Sequence, residues 1–342
     1  MLYIWDNHST LNKKTGGSKA RTDASRVLKN LGAKQVVFHN TTFKPAKAGL
    51  FILNYIQFPL IIKPKSILFI QYPFNAVQRL ILKSFKKYKK IHTIYLIHDL
   101  ESIRLNKDKN IELNDLNMAD SFISLNQKLT DYMKIELATG DKPVVNLDLW
   151  DYLPDDTKAD IYEIDLSHDS KKFNMNILIA GNLSSGKAAY LNKLSEINNV
   201  RFFLMGDNLD NNIQPKGNVI YLGSFNANTK VNFLGGELYG LVWDGNSIDT
   251  CSGSYGEYLK YNLPHKTSFY LSNNIPIVIW KHAAIFDFLN KNRIAIGIES
   301  LFDLNNINLN TINISTDNLR TIQNNMKKGY YLSCALQKLD VS

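Results

Sequence analysis

The chain has 342 residues, of which 44% are hydrophobic and 21% charged, so it is too apolar for a disordered protein and long enough for two medium-sized domains. Forty Lys and Arg residues against 31 Asp and Glu residues give a net charge of +9. This balance favours an anionic partner, such as a nucleotide, a nucleic acid, a phosphate-bearing substrate or a membrane face. Two cysteines, Cys251 and Cys334, exclude a disulfide framework and a four-thiolate zinc site.

The start of the chain lacks the pattern of a secretory signal. Met1–Asp6 is a short apolar run that ends in an acid, without the basic start and the longer apolar stretch that a signal peptide needs. The longest apolar stretches, such as Ile67–Ile70 and Ile275–Trp280, are far shorter than the roughly 20 residues of a membrane span. We therefore expect a cytoplasmic protein, as the few cysteines also indicate.

Short apolar runs alternate with helical patterns in the first half of the chain. Helices are predicted at Lys19–Leu31, Asn75–Lys87 and Gln127–Ala138. The alternation predicts a parallel sheet with helical crossovers. The predicted strands, most of them continuous as in strands buried on both faces, are Leu2–Trp5, Gln35–Phe38, Ala48–Leu53, Ser66–Gln71, His92–Ile97, Ser121–Leu125 and Lys142–Leu147.

A polar stretch, residues 153–172, separates this half from a second one with the same pattern, and we interpret it as an interdomain linker. The sequence thus predicts two α/β domains, 1–152 and 173–319, followed by a helical tail, 320–342. In the second half, strands are predicted at Met175–Ala180, Val200–Met205, Val219–Tyr221, Gly240–Val242 and Pro276–Ile279, and helices near Lys187–Ile197, Lys266–Ser272 and Ala284–Asn290.

The loops that follow strands are the candidate sites, because ligands bind beyond the carboxyl ends of parallel strands. The first such loop of the second half runs from Gly181 and Asn182 to Lys187. Its small residues would let backbone N–H groups approach a phosphate, although Ala188 replaces the Ser or Thr of a true P-loop. A plain tight turn is the alternative.

Two further strand ends in the second half carry a carboxylate. Asp207 follows the strand Val200–Met205 and could bind a ribose or a base edge, whereas Asp244 could bind a sugar hydroxyl or the nucleotide. Simple turns explain both segments equally well.

Lys266 occupies an unusual position at the predicted start of a helix, just after Pro264. The helix dipole disfavours a cation there, and a bound phosphate would account for it. Thr267, the next residue, belongs to the same candidate site.

In the first half, Gly16 and Gly17 follow the first strand and could form a lid or a phosphate nest, with Tyr72 as a further loop residue; an ordinary helix start is the alternative for the glycines. Asp99 ends the strand His92–Ile97, where a carboxylate could act as a general base. Structural pairing of Asp99, for instance with Arg104, is the alternative. His98 is the second candidate base and Glu101 the third.

Residues 75–90 combine apolar side chains with five lysines in a basic amphipathic pattern. Such a segment could rest on anionic lipid at the inner face of the membrane. A solvated helix that covers its own sheet is the simpler interpretation.

Metal and nucleophile motifs are lacking in the sequence. The seven histidines show no H-x-x-x-H spacing, and G-x-S-x-G, C-x-x-C and a DxD triplet after a strand are absent. We therefore expect no metal and no cofactor. A nucleic-acid partner is not expected either, because no basic stripe with interleaved aromatics is found.

The order and spacing of several short segments resemble the bacterial glucosyltransferase 3-like family over nearly the whole chain, and related sequences are called β-1,6-galactofuranosyltransferases. The segments are Ile97-His98-Asp99, Leu149-Trp150-Asp151, Gly181-Asn182, Gly240-Leu241-Val242-Trp243-Asp244 and Lys266–Ile279.

This resemblance implies a metal-independent GT-B glycosyltransferase, with two Rossmann-like domains that face a cleft and a UDP-sugar bound by the C-terminal one. It also implies that the tail helix crosses back to the N-terminal domain. It implies that the phosphate-binding lysine is Lys266, and that Lys187 stands nearest to where the family has an arginine. It also implies an acceptor glycan on a surface adhesin (a glycoprotein) or a polysaccharide precursor, and a homo-oligomer.

We therefore expect transfer of a hexosyl group, glucose or galactofuranose, from a UDP-sugar to a glycan hydroxyl. The alternative is a non-catalytic nucleotide-sugar- or glycan-binding subunit of a glycosyltransferase complex.

Overall fold

The computed structural model describes residues 1–7, 16–40, 43–155, 160–167, 172–211, 213 and 217–340. These residues form two compact units. The first unit consists of the described residues within Met1–Lys13, Ala20–Leu147 and Tyr331–Ser342. The second consists of those within Lys14–Lys19 and Asp148–Tyr330.

The first unit is built on a parallel six-stranded sheet in the order β2-β1-β3-β4-β5-β6. Residues that pair between β3 and β4 run from Ile67 with His92 to Tyr72 with Ile97, so both strands end side by side. The strands are β1 (Leu2–Asn7), β2 (Lys34–Phe38), β3 (Ile67–Tyr72), β4 (His92–Ile97), β5 (Ser121–Ser124) and β6 (Val144–Asn146).

Helices cross over between these strands. Asn75 is the N-cap of the third of them. Its side chain accepts from the backbone N–H of Gln78, and the Gln78 side chain accepts from the backbone N–H of Asn75, which makes a capping box. The helices are α1 (Gly16–Asn30), α2 (Ala46–Ile61), α3 (Ala76–Lys89), α4 (Glu101–Arg104), α5 (Lys109–Leu116) and α6 (Gln127–Ile135).

The central strands of this sheet are buried on both faces, which explains their continuous apolar runs. Phe69, Ile94, Leu96 and Phe122 are fully shielded from solvent. A strand covered on both sides has no polar face, so its sequence does not alternate.

The strand predicted at Ala48–Leu53 is wrong, because these residues lie inside α2. The buried Asn54 accepts a hydrogen bond from the backbone N–H of His39 at 2.9 Å, and its amide donates to the carbonyl oxygens of His39 and Leu50. Asn54 and Phe58, one helical turn apart, form the buried face of the helix. Connecting two parallel strands requires such a crossover, and an apolar run of this kind fits a helix as well as a strand.

The second unit contains a parallel six-stranded sheet in the order β10-β9-β8-β12-β13-β14 and a separate pair, β11-β7. The segment predicted as a linker, 153–172, contains β7, which pairs with β11 and belongs to this unit. Exposed residues alternate with partly or fully buried ones along β7, so this stretch has no continuous apolar run in the sequence. The strands are β7 (Ile161–Asp165), β8 (Met175–Ala180), β9 (Val200–Met205), β10 (Val219–Gly223), β11 (Lys230–Leu234), β12 (Leu238–Val242), β13 (Ile277–Trp280) and β14 (Ala295–Ile298).

The helix predicted at Lys187–Ile197 is instead a four-residue α-helix, α7 (Ser185–Ala188), followed by a 3₁₀ segment, Ala189–Glu196. Further 3₁₀ segments are Leu301–Asn306 and Leu309–Thr311. The other α-helices before the tail are α8 (Gly253–Tyr258), α9 (His265–Ser272) and α10 (Phe286–Lys291).

The tail consists of two helices rather than one, α11 (Thr316–Lys327) and α12 (Tyr330–Lys338). Gly329 separates them with φ of +72°, a conformation that favours glycine and ends a helix. Up to Tyr330 the tail groups with the second unit, and from Tyr331 it groups with the first. None of the helices in the described ranges is long and apolar enough to cross a bilayer.

Candidate functional site

The loops after β8 and β9 approach each other at the carboxyl edge of the second sheet. Gly181 has φ of +128°, and a Cβ atom on Gly206 would lie 1.7 Å from the carbonyl oxygen of Gly181, so both positions require glycine. Nδ2 of Asn208 donates to Oδ1 of Asn182 at 3.1 Å. The two loops therefore form one backbone surface at this edge.

Lys266 lies at the first turn of α9 and points back to the end of β12. Its Nζ donates to the carbonyl oxygen of Trp243 and to Oδ1 of Asp244, both at 2.8 Å. The Lys266 side chain is 11% exposed and that of Asp244 5%. Burial lowers the pKa of Lys266 below its usual range, and the negative charge of Asp244 opposes that shift. The pair is thus a nearly buried ion pair at the strand end.

A second lysine shares the same carboxylate. Nζ of Lys187 lies 3.7 Å from Oδ2 of Asp244. Backbone hydrogen bonds fix this arrangement, because the N–H of Gly245 donates to the carbonyl of Lys187 at 2.8 Å and the N–H of Tyr190 donates to the carbonyl of Gly245. Two ammonium groups and one carboxylate leave this cluster, Lys187–Asp244–Lys266, with one excess positive charge.

The start of α9 holds buried polar atoms that the rest of the described chain does not satisfy. Oγ1 of Thr267 and Nε2 of His265 are inaccessible to solvent and have no hydrogen-bond partner among the described residues. The His265 ring stacks on Tyr152 with centroids 5.1 Å apart. Burial, with the nearby charge of Lys19, lowers the pKa of His265 to about 3, so its ring is neutral at pH 7.

Tyr270 fixes α9 against the sheet. Its hydroxyl accepts from the N–H of Ala180 at 2.7 Å and donates to the carbonyl of Leu241 at 3.2 Å. A Cβ atom on Gly240 would lie 2.2 Å from the Tyr270 ring, so glycine there makes room for it. One side chain thus ties the helix that carries Lys266 to β8 and β12.

The segment that precedes β7 packs around the same helix start. Nε1 of Trp150 donates to the carbonyl of Leu263 at 3.0 Å, and Oγ of Ser268 donates to the carbonyl of Trp150 at 2.9 Å. Trp150 is therefore tied both to Leu263, which precedes α9, and to the first turn of the helix.

The structure thus brings together Lys187, Asp244 and Lys266 among the predicted residues of the second unit. Asp207 has an exposed side chain. Its backbone carbonyl accepts from the N–H of Leu183 at 2.9 Å, which connects the loops after β8 and β9. The four residues of α7 are too few for a strong helix dipole at the Gly181–Lys187 loop, so the side-chain charge of Lys187 carries any phosphate contact there.

In the first unit, Asp99 follows β4 and is ion-paired. Nη1 of Arg104 donates to Oδ2 of Asp99 at 2.7 Å, which is the pairing that the sequence offered as the alternative to a base. The Asp99 side chain is nevertheless 31% exposed. Part of this carboxylate therefore stays accessible to solvent although it is paired with Arg104.

Arg21 of α1 lies near the charge of Asp99, a position that the sequence did not reveal. Its guanidinium donates to the carbonyl oxygens of Gln71 and Pro73 at the end of β3. Burial lowers the pKa of Arg21 to about 10, and the charges of Asp99 and Asp6 oppose that shift. A single arginine inside an amphipathic helical pattern gives no signal that it turns toward a strand end.

The two other candidate bases have partners of their own. Nε2 of His98 lies 2.8 Å from Oε1 of Gln71. Nζ of Lys107 donates to Oε2 of Glu101 at 2.8 Å.

Three predicted loop residues of the first half are not in loops. Gly16 and Gly17 form the first turn of α1, so the ordinary helix start applies to them, and residues 8–15 lie outside the described residues. Tyr72 is the buried last residue of β3; its hydroxyl donates to Oε1 of Glu112 at 3.3 Å, and burial together with Glu112 raises its pKa well above 10. Tyr72 is therefore a core residue.

Within the described residues, no three His, Cys, Asp or Glu side chains form a group that could hold a metal ion. The cations found at the end of β12 are the two lysines beside Asp244.

Family models match both halves of the chain. The N-terminal domain of glucosyltransferase 3-like proteins matches residues 1–149, and the C-terminal domain matches residues 177–339. The chain belongs to the glucosyltransferase 3-like family. The chain is 31% identical over 303 residues to the β-1,6-galactofuranosyltransferase WbbI of Escherichia coli K12, covering 88% of this chain and 86% of that protein. The family predicted from the short segments is thereby confirmed.

Solved structures confirm the predicted GT-B fold. HepE of Anabaena in complex with UDP and glucose has a TM-score of 0.57 at 12% identity, over 99% of this chain and 98% of that one. Sucrose-phosphate synthase from Thermosynechococcus elongatus also gives 0.57, at 10% identity, over 99% and 97% of the two chains. AviGT4, a glycosyltransferase of avilamycin A biosynthesis, gives 0.55 at 10% identity, over 100% and 97%.

Proposed function

We propose that this family member transfers a hexosyl group from a UDP-sugar to a hydroxyl group of a glycan. Membership in a glycosyltransferase family supports the reaction class. The Lys187–Asp244–Lys266 cluster supports the second unit as the one that binds the donor, because it offers excess positive charge where ligands bind in parallel α/β sheets.

The observation that carries the proposal is the sharing of one carboxylate by two lysines. A diphosphate that approaches Lys266 would meet a cation already oriented by Trp243 and Asp244. Negative charge builds on the leaving UDP as the glycosidic bond breaks, so a fixed cation stabilises the transition state more than the bound substrate. Lys187 would supply the second charge, and Thr267, the residue after Lys266, a hydroxyl group.

We also propose that the reaction needs no divalent metal and no other cofactor. In this proposal the two lysines neutralise the diphosphate, which is the task that a metal would otherwise perform. Among the other predicted residues, Gly181 and Asn182 would offer backbone and amide groups, and Asp207 would contact the nucleoside.

The first donor to test is UDP-galactofuranose, because the E. coli relative is named a β-1,6-galactofuranosyltransferase. UDP-glucose is the second, because the family is named after a glucosyltransferase. The acceptor that we propose is a glycan on a surface adhesin or a polysaccharide precursor, and a homo-oligomer is the proposed assembly.

For an inverting reaction, Asp99 is the proposed base, with His98 next. An attacking hydroxyl loses its proton as its bond to the sugar forms, and a partly exposed carboxylate can accept that proton. Asp99 belongs to the first unit, which is the acceptor side in this proposal.

The test is UDP release from each donor in the presence of a panel of mono- and disaccharide acceptors. Wild-type protein should release UDP with at least one donor, and Lys266→Ala should release far less. Lys281→Ala is the matched control, since Lys281 is also an ion-paired lysine of the second unit. UDP binding without release from any donor would favour the non-catalytic subunit instead, and absence of UDP binding would exclude the transferase and leave only a glycan-binding subunit.

A further inference from the structure

Helix α2 presents an apolar surface to solvent. Only Asn54 and Phe58 of its 16 residues are buried. Leu60 is 79% exposed, and Ile52, Leu53 and Ile56 are each about half exposed or more. A helix on the surface of a globular protein normally turns polar residues outward, and a contiguous exposed apolar patch marks a binding surface.

Helix α3 packs beside α2 and extends this surface. The rings of Tyr55 and Phe85 lie 5.0 Å apart, and Nζ of Lys89 donates to the carbonyl of Ile62 at 2.6 Å. Tyr88 on the outer side of α3 is 83% exposed, and Leu80 is exposed as well. We call the exposed side chains of both helices the α2–α3 face. The inner side of α3, with Ile81 and Leu82 fully buried, covers the sheet, as the simpler interpretation of the sequence predicts.

The charge around the α2–α3 face has one sign. Residues 24–98 contain 13 Lys or Arg residues and no Asp or Glu. Their net charge is therefore +13, and since the whole chain carries +9, the remainder carries 9 − 13 = −4. Lys44 and Lys47 lie at the start of α2, Lys63 and Lys65 follow its end, and all four are exposed.

An open groove of about 450 Å³ lies along the other flank of α3. Lys83, Lys86, Lys87 and Lys90 line it together with the apolar Ile91 and Met118. Lys86 is held by Asp120 at 2.8 Å, whereas Lys83, Lys87 and Lys90 are exposed. A groove of this size, with ammonium groups around an apolar floor, suits the phosphate of a lipid headgroup.

We propose that the α2–α3 face docks this protein onto an anionic lipid bilayer. The apolar side chains of α2 enter the boundary between headgroups and acyl chains, and the surrounding lysines bind lipid phosphates. A second copy of the chain fits less well, because a symmetric contact through this face would set cations against cations without any carboxylate from residues 24–98. The proposal does not rest on the transfer reaction.

The test is co-sedimentation of the full chain with phosphatidylcholine vesicles that contain or lack phosphatidylglycerol, at low and high salt. The apolar variant is Ile56→Ser with Leu60→Ser, and the charge variant is Lys83→Glu with Lys87→Glu. All four side chains are exposed, so both variants should fold. The matched controls lie on α6 of the same unit: Ile135→Ser, at a residue 75% exposed, and Lys128→Glu with Lys134→Glu.

Wild-type protein and both controls should bind the phosphatidylglycerol vesicles, and binding should weaken with salt. Each test variant should partition at least about tenfold less. The charge variant loses two cations at the anionic surface, and the apolar variant loses two apolar side chains that would enter the acyl boundary. Binding that is absent in wild type, or equal in all variants, would overturn the proposal. So would a wild-type dimer that Ile56→Ser with Leu60→Ser converts to a monomer, because the face would then be a contact between copies. UDP titration of each variant reports on the donor site separately.

Discussion

The ammonium group of Lys266 lies 2.8 Å from Oδ1 of Asp244, a residue 22 positions earlier in the chain. The cation proposed to meet the donor diphosphate is therefore already oriented by a buried carboxylate. Lys187 approaches the other oxygen of that carboxylate. Lys266, Asp244 and Lys187 therefore have different proposed roles, and a substitution of each residue tests its role separately.

Lys266→Ala should lower turnover by about 100-fold, which is the typical loss when one donor that stabilises developing negative charge is removed. Steady-state UDP release measures it. Lys281→Ala, which removes an exposed ion-paired lysine, should stay near wild type. Turnover of Lys266→Ala near the wild-type rate, with unchanged UDP affinity, would contradict the role of Lys266.

Asp244→Asn should change stability and UDP affinity in opposite directions. Breaking a nearly buried ion pair costs about 3 kcal/mol or more, so the melting temperature should fall. UDP affinity should rise by about tenfold or more, since the substitution removes a negative charge beside the lysines that would meet the diphosphate. At an effective dielectric constant of about 20, two like unit charges about 10 Å apart still repel by more than about 1.4 kcal/mol.

Calorimetric titration with UDP measures this change in affinity. Glu299→Gln is the control, because Glu299 also lies between two basic groups, Lys281 and His282, but at an exposed position. Weaker UDP binding by Asp244→Asn would mean that Asp244 contacts the donor itself.

Asp99→Asn should lower turnover by roughly 10²- to 10⁴-fold if Asp99 is the base, with UDP binding intact. The amide keeps the shape and can still accept from Arg104, but it accepts no proton. Asp120→Asn is the matched control, since Asp120 is also ion-paired at 2.8 Å and 35% exposed. A folded Asp99→Asn variant that loses less than about threefold would show that Asp99 is structural. His98→Ala would then be the next test.

His265 should make the stability of the second unit depend on pH. Its folded pKa of about 3 lies below the unfolded value near 6.5, so the unfolded state binds the proton first. The contribution of His265 to the free energy of unfolding is fully present above pH 6.5. As the pH falls toward 3 this contribution is lost, by up to about 1.4 kcal/mol per pH unit, because the unfolded state binds a proton that the folded state does not.

The variant His265→Phe keeps a ring that can stack on Tyr152 and removes the titration. Chemical denaturation at pH 7 and pH 5 should show wild type losing about 2 kcal/mol more than His265→Phe. Equal losses in the two proteins would mean that His265 titrates normally.

Much of the fold was predictable because central parallel strands are continuous apolar runs. The strands His92–Ile97, Met175–Ala180 and Val200–Met205 have the predicted bounds. The strand prediction at Ala48–Leu53 rested on the same kind of apolar run and was wrong. An apolar run does not distinguish a buried strand from a helix with an uncovered apolar face. Because these residues were assigned to a strand, the sequence did not predict the α2–α3 face.

The candidate site was predictable one loop at a time. Asp244 was predicted because it follows a strand, and Lys266 because it lies at a helix start. Both are local patterns in the sequence. That the two side chains pair, and that Lys187 shares the carboxylate, depends on the strand order β8-β12-β13, which local patterns do not contain. Arg21 was missed for the same reason, since its partners at Gln71 and Pro73 lie 50 and 52 residues away.

Calorimetric titration of UDP in the presence of EDTA tests the central claim most directly, namely that the Lys187–Asp244–Lys266 cluster binds the donor diphosphate without a metal. Wild type and Lys281→Ala should bind UDP equally well with and without EDTA, and Lys266→Ala and Lys187→Ala should each bind it more weakly. UDP binding that EDTA abolishes and manganese restores, or that neither lysine variant weakens, would contradict the account.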